Sequence, residues 1–125
     1  MIPDDRLYTA QHEWLKVEDG EAVLGITDFA QQELGDVVFV ELPAPGQEFA
    51  AGSEVGAIES VKAVAEIYTP VAGSIEAVNE GLEDAPELVN EDPYGEGWLV
   101  RLRLDEEDTR DDLMTAAAYE AQLAG

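Results

Sequence analysis

The chain predicts a fold dominated by antiparallel β-strands, with short peripheral helices and one helix at the C-terminus. Three observations carry that prediction. Short runs rich in Val and Ile are separated by Gly, Pro and an Asp-Gly pair, which is the punctuation of hairpins. Helical spacing is confined to a short stretch around residue 30, one turn near residue 86 and the tail. Hydrophobic residues make up 46% of the chain although 6 basic and 29 acidic side chains leave it at −23, so a folded core under an acidic skin fits better than disorder.

At 125 residues the expected organisation is a single domain spanning 1–125. With no cysteine, no disulfide framework, thiol nucleophile or thiolate metal site can be proposed. No apolar run approaches the roughly 18 residues of a membrane span. The N-terminal Met1-Ile2-Pro3-Asp4-Asp5 is neither a basic leader nor an apolar signal, so a cytoplasmic protein is expected. The negative charge disfavours nucleic acid and anionic membranes as partners and, by self-repulsion, favours a monomer. One setting that would permit such a skin is high salt, where a short Debye length screens the repulsion. Urea midpoints should then rise between low and molar salt, and midpoints that stay level would reject that explanation.

In chain order, residues 7–17 read as an extended lead-in and a strand, with Trp14 as a core aromatic. Asp19-Gly20 is a two-residue hairpin signal before a strand at 21–26. Residues 27–35 predict a short helix, with Asp28 capping the first amides, Gln31 at the capping-box position, Ala30 and Leu34 on one face and Gly35 at the C-terminal end. A strand at 37–42 is stopped by Pro43-Ala44-Pro45-Gly46. Hairpin-like segments follow at 51–60 and 64–79, then an irregular link with one helical turn starting at Pro86. Residues 98–104 alternate, placing Trp98, Val100, Leu102 and Leu104 on one face and Leu99, Arg101 and Arg103 on the other. The tail from Asp105 is acidic and then helical, with Ala116, Tyr119 and Leu123 at helical spacing.

Chemistry has few places to reside in this chain. His12 is its only histidine, and no motif links it to Ser53, Ser60 or Ser74, so a Ser-His-Asp system is not supported. Asn90, Asp92 and Gly95 fall at the first, third and sixth positions of a calcium loop, but Tyr94 occupies the fifth and Arg101 stands where the bidentate Glu is required. That stretch reads as a structural turn packing Trp98. The remaining feature is Lys62, one of only two lysines, held in Glu59-Ser60-Val61-Lys62-Ala63 between two hairpin segments. A primary amine presented on a tight turn suits acylation by another enzyme, although most turn lysines are simply solvated.

Several separated motifs give that lysine a context. The Glu59-Ser60-Val61-Lys62-Ala63 turn resembles the lipoyl-lysine hairpin of the H protein of the glycine cleavage system, and Pro70 to Gly73 resembles the second half of the hammerhead fold shared by lipoyl and biotinyl domains. Biotinyl carriers flank their lysine with methionines, so Val61 and Ala63 favour lipoate. Tyr8-Thr9 with His12-Glu13-Trp14, the stretch from Gly25 to Pro43, Asn90-x-Asp92-Pro93-Tyr94-Gly95-x-Gly97-Trp98 and Ala118-Tyr119-Glu120 are similar to the same family. The resemblance implies a lipoyl/biotinyl-type hammerhead sandwich of antiparallel strands with Lys62 at one hairpin tip.

It also implies carriage rather than catalysis. In the family, lipoate is joined to the lysine by an amide. A pyridoxal-phosphate glycine decarboxylase loads an aminomethyl group, a tetrahydrofolate-dependent aminomethyltransferase removes it, and dihydrolipoyl dehydrogenase reoxidises the dithiol. A lipoate-attaching enzyme is the further partner. Docking of the loaded arm is implied at Glu13 and Glu66, with Glu66 where the family more often has Asp, Ala65 where Ser is usual and Gln11 in place of a small hydroxyl residue. Glu59 and Glu66, if near Lys62, would favour its charged form. The alternatives are an octanoyl or lipoyl relay in lipoate synthesis, a lipoyl domain of a 2-oxo-acid dehydrogenase, and a hydrolase using paired carboxylates.

Overall fold

The computed structural model describes residues 2–104 and 113–124. Two antiparallel sheets share one apolar core, as the hairpin punctuation requires. The larger runs from edge to edge as β1 (Leu7–Tyr8), β2 (Glu13–Glu18), β3 (Glu21–Ile26), β9 (Val100–Leu104), β8 (Gly73–Val78) and β5 (Glu48–Phe49). The smaller is β4 (Val37–Glu41), β6 (Glu54–Ser60) and β7 (Val64–Tyr68), with β6 central. Four helices are described: α1 (Asp28–Leu34), α2 (Gly81–Asp84), α3 (Leu88–Glu91) and α4 (Ala116–Ala124).

The β2–β3 hairpin forms at the Asp19-Gly20 signal. Glu18 pairs with Glu21, and both turn residues take positive φ, 51° and 78°, the conformation such a loop needs. The main core draws Leu15 and Leu24 from the larger sheet and Ile58 and Ile67 from the smaller, all but excluded from solvent. Burying each such side chain stabilises the fold by about 1.5–3 kcal/mol. On the other face of β2, Trp14 enters a second cluster with Tyr8 and Tyr119. Its indole Nε1 donates to the Pro93 carbonyl at 3.0 Å. β2 is therefore covered on both faces, and Glu13 at its start is buried too.

Four expectations need correction. The α1 cap is Thr27, whose hydroxyl accepts from the Ala30 amide, because Thr27 holds the extended backbone of a cap while Asp28 is already helical. Asp28 instead accepts from the side-chain amides of Gln31 and Gln32. The link at 79–90 holds two helical turns, α2 and α3, and the second begins at Leu88 rather than Pro86. Leu99 does not share a face with the arginines. It precedes β9, donates its amide to Leu24 and is buried in the main core, outside the alternation of the strand. The acidic stretch at 105–112 lies outside the described residues, whereas the helix after it is α4, with Tyr119 buried.

The Asn90–Trp98 stretch is the structural turn expected of it. Asn90 accepts from the Val37 amide at 2.8 Å and donates to Gln31 Oε1 and the Gly35 carbonyl at 3.0 and 2.8 Å, fastening α3 to α1 and β4. Tyr94 receives the Asp28 amide at 3.1 Å. Both contacts converge on α1, the element beside the lysine hairpin.

Candidate functional site

The Lys62 turn is rigid at its backbone and exposed at its side chains. The Ser60 amide donates to the Ala63 carbonyl at 2.8 Å, and the Ser60 hydroxyl accepts from the amides of Lys62 and Ala63 at 3.3 and 3.0 Å. A further bond, from the Val61 amide to the Asp36 carbonyl at 3.0 Å, ties the tip to the connection between α1 and β4. Ser60 is buried, while Val61, Lys62, Ala63 and Val64 are all exposed. A serine at this position thus closes the turn that raises the lysine, which is a physical reason for the Glu-Ser-Val-Lys-Ala pattern.

The lysine stem crosses the end of α1. A Cβ placed on Gly35 would come within 3.3 Å of Lys62 Cε, and Gly35 has φ +80°, where an L side chain is strained. Glycine here both ends the helix and leaves room for the lysine to lie down. Among the described residues, no carboxylate lies within the 4.0 Å of an ion pair with Lys62. Glu59 stands between Phe39 and Val64 in the cross-strand register, and Glu66 pairs with Ala57 two rungs further from the tip. Both acids are exposed strand residues rather than turn residues, so the condition of nearness to Lys62 is not filled by an ion pair.

Beside the turn opens a cleft of about 270 Å³ between α1, the start of β2 and β7. Phe29, Ala30 and Leu34 give it an apolar wall, and Gln11, His12, Glu13, Glu33 and Glu66 give it polar groups. Glu13 and Glu66, far apart in sequence, line the same space, as do Gln11 and Ala65, the two other departures from the family pattern. Lys62 and the cleft are adjacent, since Leu34 precedes Gly35 in α1.

Glu13 differs from the other cleft acids. It is only 3% exposed, and its two oxygens accept from the Thr9 hydroxyl at 3.2 Å and the Tyr68 amide at 2.8 Å. Burial pushes its pKa up to about 7, against the opposing pull of those two hydrogen bonds. Tyr68 lies on β7, an edge of the smaller sheet, so one carboxylate joins the larger sheet to that edge. An ionised carboxylate has about four lone-pair sites, and two contacts leave acceptor capacity for a cation.

His12 forms part of the cleft wall. Its φ is +72°, its ring lies 4.5 Å from that of Phe29, and Nδ1 is 2.7 Å from the Tyr119 hydroxyl. Burial lowers its pKa while Glu33 pulls the other way. Phe29 and the His12–Tyr119 contact were not legible in the sequence. The only available hint was that histidine tolerates a left-handed backbone better than most residues do.

The comparisons with known proteins agree over almost the whole chain. The family model described as Glycine cleavage H-protein matches residues 6–125. The glycine cleavage system H protein of Rubrobacter xylanophilus is 56% identical over 122 residues, covering 98% of this chain and 94% of that protein. That of Nitratidesulfovibrio vulgaris is 54% identical over 123 residues, covering 98% and 95%. Among solved structures, the glycine cleavage system H protein from Mycobacterium marinum superposes with a TM-score of 0.91 at 39% identity, covering 99% of this chain and 100% of that one.

Proposed function

Because the chain belongs to the glycine cleavage H-protein family, a lipoyl carrier component and not an enzyme, we propose that Lys62 bears the lipoyl group. On this reading the chain shuttles the aminomethyl group from glycine decarboxylase to aminomethyltransferase and passes electrons to dihydrolipoyl dehydrogenase. The single observation that carries the reading is the turn itself: an exposed amine on a hairpin whose backbone is closed by the Ser60 hydroxyl and tied down at Asp36.

The residues present fit the group. Lys62 is accessible to a lipoate-attaching enzyme, its stem has a path over Gly35, and the adjoining cleft offers apolar wall to a hydrocarbon arm and a buried carboxylate, Glu13, to an ammonium. Bound lipoate supplies a dithiolane, which this cysteine-free chain lacks. The protein's own part is to hold the amine out, to receive the arm's end at Glu13 and Glu66, and to keep water from it. Glu59, Val61 and Ala63 form the exposed surface that the attaching enzyme reads, and the buried Ser60 sets the turn beneath it. Among the described residues no helix is long and apolar enough to cross a membrane. A net charge of −23 opposes self-association, and we place the carrier in the cytoplasm as a monomer of one domain. The octanoyl or lipoyl relay is not favoured, since the matched relatives are named for glycine cleavage.

Incubation with lipoate, ATP and a lipoate ligase tests the assignment by intact mass and peptide mapping. One lipoyl group should appear on Lys62, and a Lys62→Arg variant should take none. A folded protein that stays unmodified beside an active ligase, or a variant that is still modified, would reject Lys62 as the attachment site.

A further inference from the structure

Tyr119 does not line the cleft, yet its hydroxyl touches both of the cleft's sides. Thr27 Oγ1 lies 2.7 Å from it, and Thr27 is the N-cap of α1, the helix that supplies Phe29, Ala30 and Leu34 to one wall. His12 Nδ1 also lies 2.7 Å from it, and His12 precedes Glu13 on the opposite side. One phenolic oxygen on the C-terminal helix therefore ties together two side chains, His12 and Thr27, whose backbones are themselves hydrogen-bonded.

The backbone at His12 shows what the bridge holds. A non-glycine residue at φ +72° occupies a sparsely populated region and costs of the order of a kilocalorie unless its surroundings fix it. Here the surroundings are the Tyr119 hydroxyl, the Phe29 ring, the His12 amide on the Thr9 carbonyl at 3.1 Å and the His12 carbonyl taking the Thr27 amide at 3.0 Å. Glu13 follows as the first residue of β2, on the face that Leu15 and Val17 turn to the main core, and reaches the Tyr68 amide, with His12 beside it in the cleft wall.

We propose that Tyr119 is a positioning residue of the arm-docking cleft, its hydroxyl holding the His12 imidazole in the cleft wall so that water is kept from Glu13, the carboxylate that meets the cation-bearing end of a docked arm. The proposal rests on the carrier reading for its ligand, but its geometry concerns this chain alone. Burial supports it from a second direction. The desolvation that lowers the His12 pKa keeps the imidazole neutral beside a docked cation, with Glu33 on α1 and Glu13 on β2 as the acids facing it and Glu66 on β7 lining the same space.

A single histidine makes the test direct, because its imidazole signals have no overlap. In the unmodified protein, ¹⁵N spectra should show His12 in one fixed tautomer, and ¹³C-carboxyl spectra should show Glu13 titrating near 7. Tyr119→Phe keeps the ring stacked 4.9 Å from Tyr8 but removes the bridge. His12 should then become a tautomer mixture, and the Glu13 midpoint should move down from about 7 toward the ordinary 4.5. Tyr8→Phe, which loses only the hydroxyl bond to the Pro3 carbonyl in the same aromatic cluster, should move neither. After lipoylation, the isolated loaded Tyr119→Phe protein should lose its cargo about threefold to tenfold faster, the worth of one hydrogen bond.

Unchanged His12 and Glu13 titrations in Tyr119→Phe would overturn the proposal, and so would an equal response in Tyr8→Phe, which would reduce Tyr119 to packing. Should Tyr119→Phe not fold, the wild-type spectrum still decides, since a His12 tautomer mixture like that of a free peptide is incompatible with the bridge. Failure of Lys62 to take lipoate would reject the carrier assignment while leaving these spectra readable.

Discussion

Glutamine in place of Glu13 is expected to stabilise the protein by about 3 kcal/mol at pH 8 and by almost nothing at pH 4. The folded protein raises this carboxyl from 4.5 to about 7, and each unit is about 1.4 kcal/mol. Below 4.5 the group is protonated in both the folded and the unfolded chain, so its contribution to stability is fully present. As pH rises toward 7 the unfolded chain ionises freely while the folded one still holds its proton, and stability is lost. Above about 7 the loss is complete and stays constant. Glutamine keeps the shape and both hydrogen bonds, its oxygen accepting from the Tyr68 amide and its nitrogen donating to Thr9, without a charge to bury. Urea midpoints of the two proteins at pH 4 and pH 8 check this, because the other 28 acids are common to both and cancel in the difference. A stability gap equal at the two pH values would show that Glu13 is not desolvated. A buried carboxylate retained at such a cost is what a binding role would require, and the glutamine variant should correspondingly hold a cationic arm less well.

The His12-Glu13-Trp14 motif marks that carboxylate by resemblance, but not its burial. Glu13 is one of 29 acids, and its burial depends on its pairing opposite Ile26 and on Tyr68, a contact made across 55 residues. The Lys62 turn was legible for the opposite reason. Its geometry is closed within four residues by Ser60, so a short motif contains the whole device. The same distinction runs through the fold. The Asp19-Gly20 hairpin and the alternation of Val100 and Leu102 follow from neighbours in sequence, and both are found. The order of the larger sheet, which sets β9 between β3 and β8, depends on pairings such as Ala22 with Leu102, and no local pattern encodes them. Trp98 and Leu99 were misplaced because alternation was extended two residues beyond the strand that enforces it: Trp98 packs in the second cluster and Leu99 in the main core. The cap of α1 was misplaced by one residue because Thr27 and Asp28 are both good capping residues, and only the backbone conformation chooses between them. Glu66 lies between these cases. It lines the same cleft as Glu13, while strand direction carries it away from Lys62.

Alanine at Gly56 should cost about 3 kcal/mol, at the upper end of what overpacking usually takes. Gly56 sits in β6 next to the register shift at Glu54, with β7 on one side and β4 on the other. A Cβ there would lie 2.4 Å from the Glu41 carbonyl oxygen and 3.5 Å from its carbon. That obstacle is backbone, so no rotamer change relieves it, and β4 has to move away from β6. The consequence reaches the site, because β4 runs beside β6 up to the lysine tip: Val37 pairs with Ser60, and Asp36 holds the Val61 amide. Separating the strands loosens those two anchors before it disturbs the larger sheet. The urea midpoint of Gly56→Ala should therefore fall, and its amide exchange should speed most at residues 60–63 rather than in β2 or β3. A loss under about 1 kcal/mol would mean that β4 shifts at little cost. A large loss with exchange raised evenly would mean that the two sheets unfold as one unit, and that the lysine hairpin draws its rigidity from the whole core rather than from its own three strands.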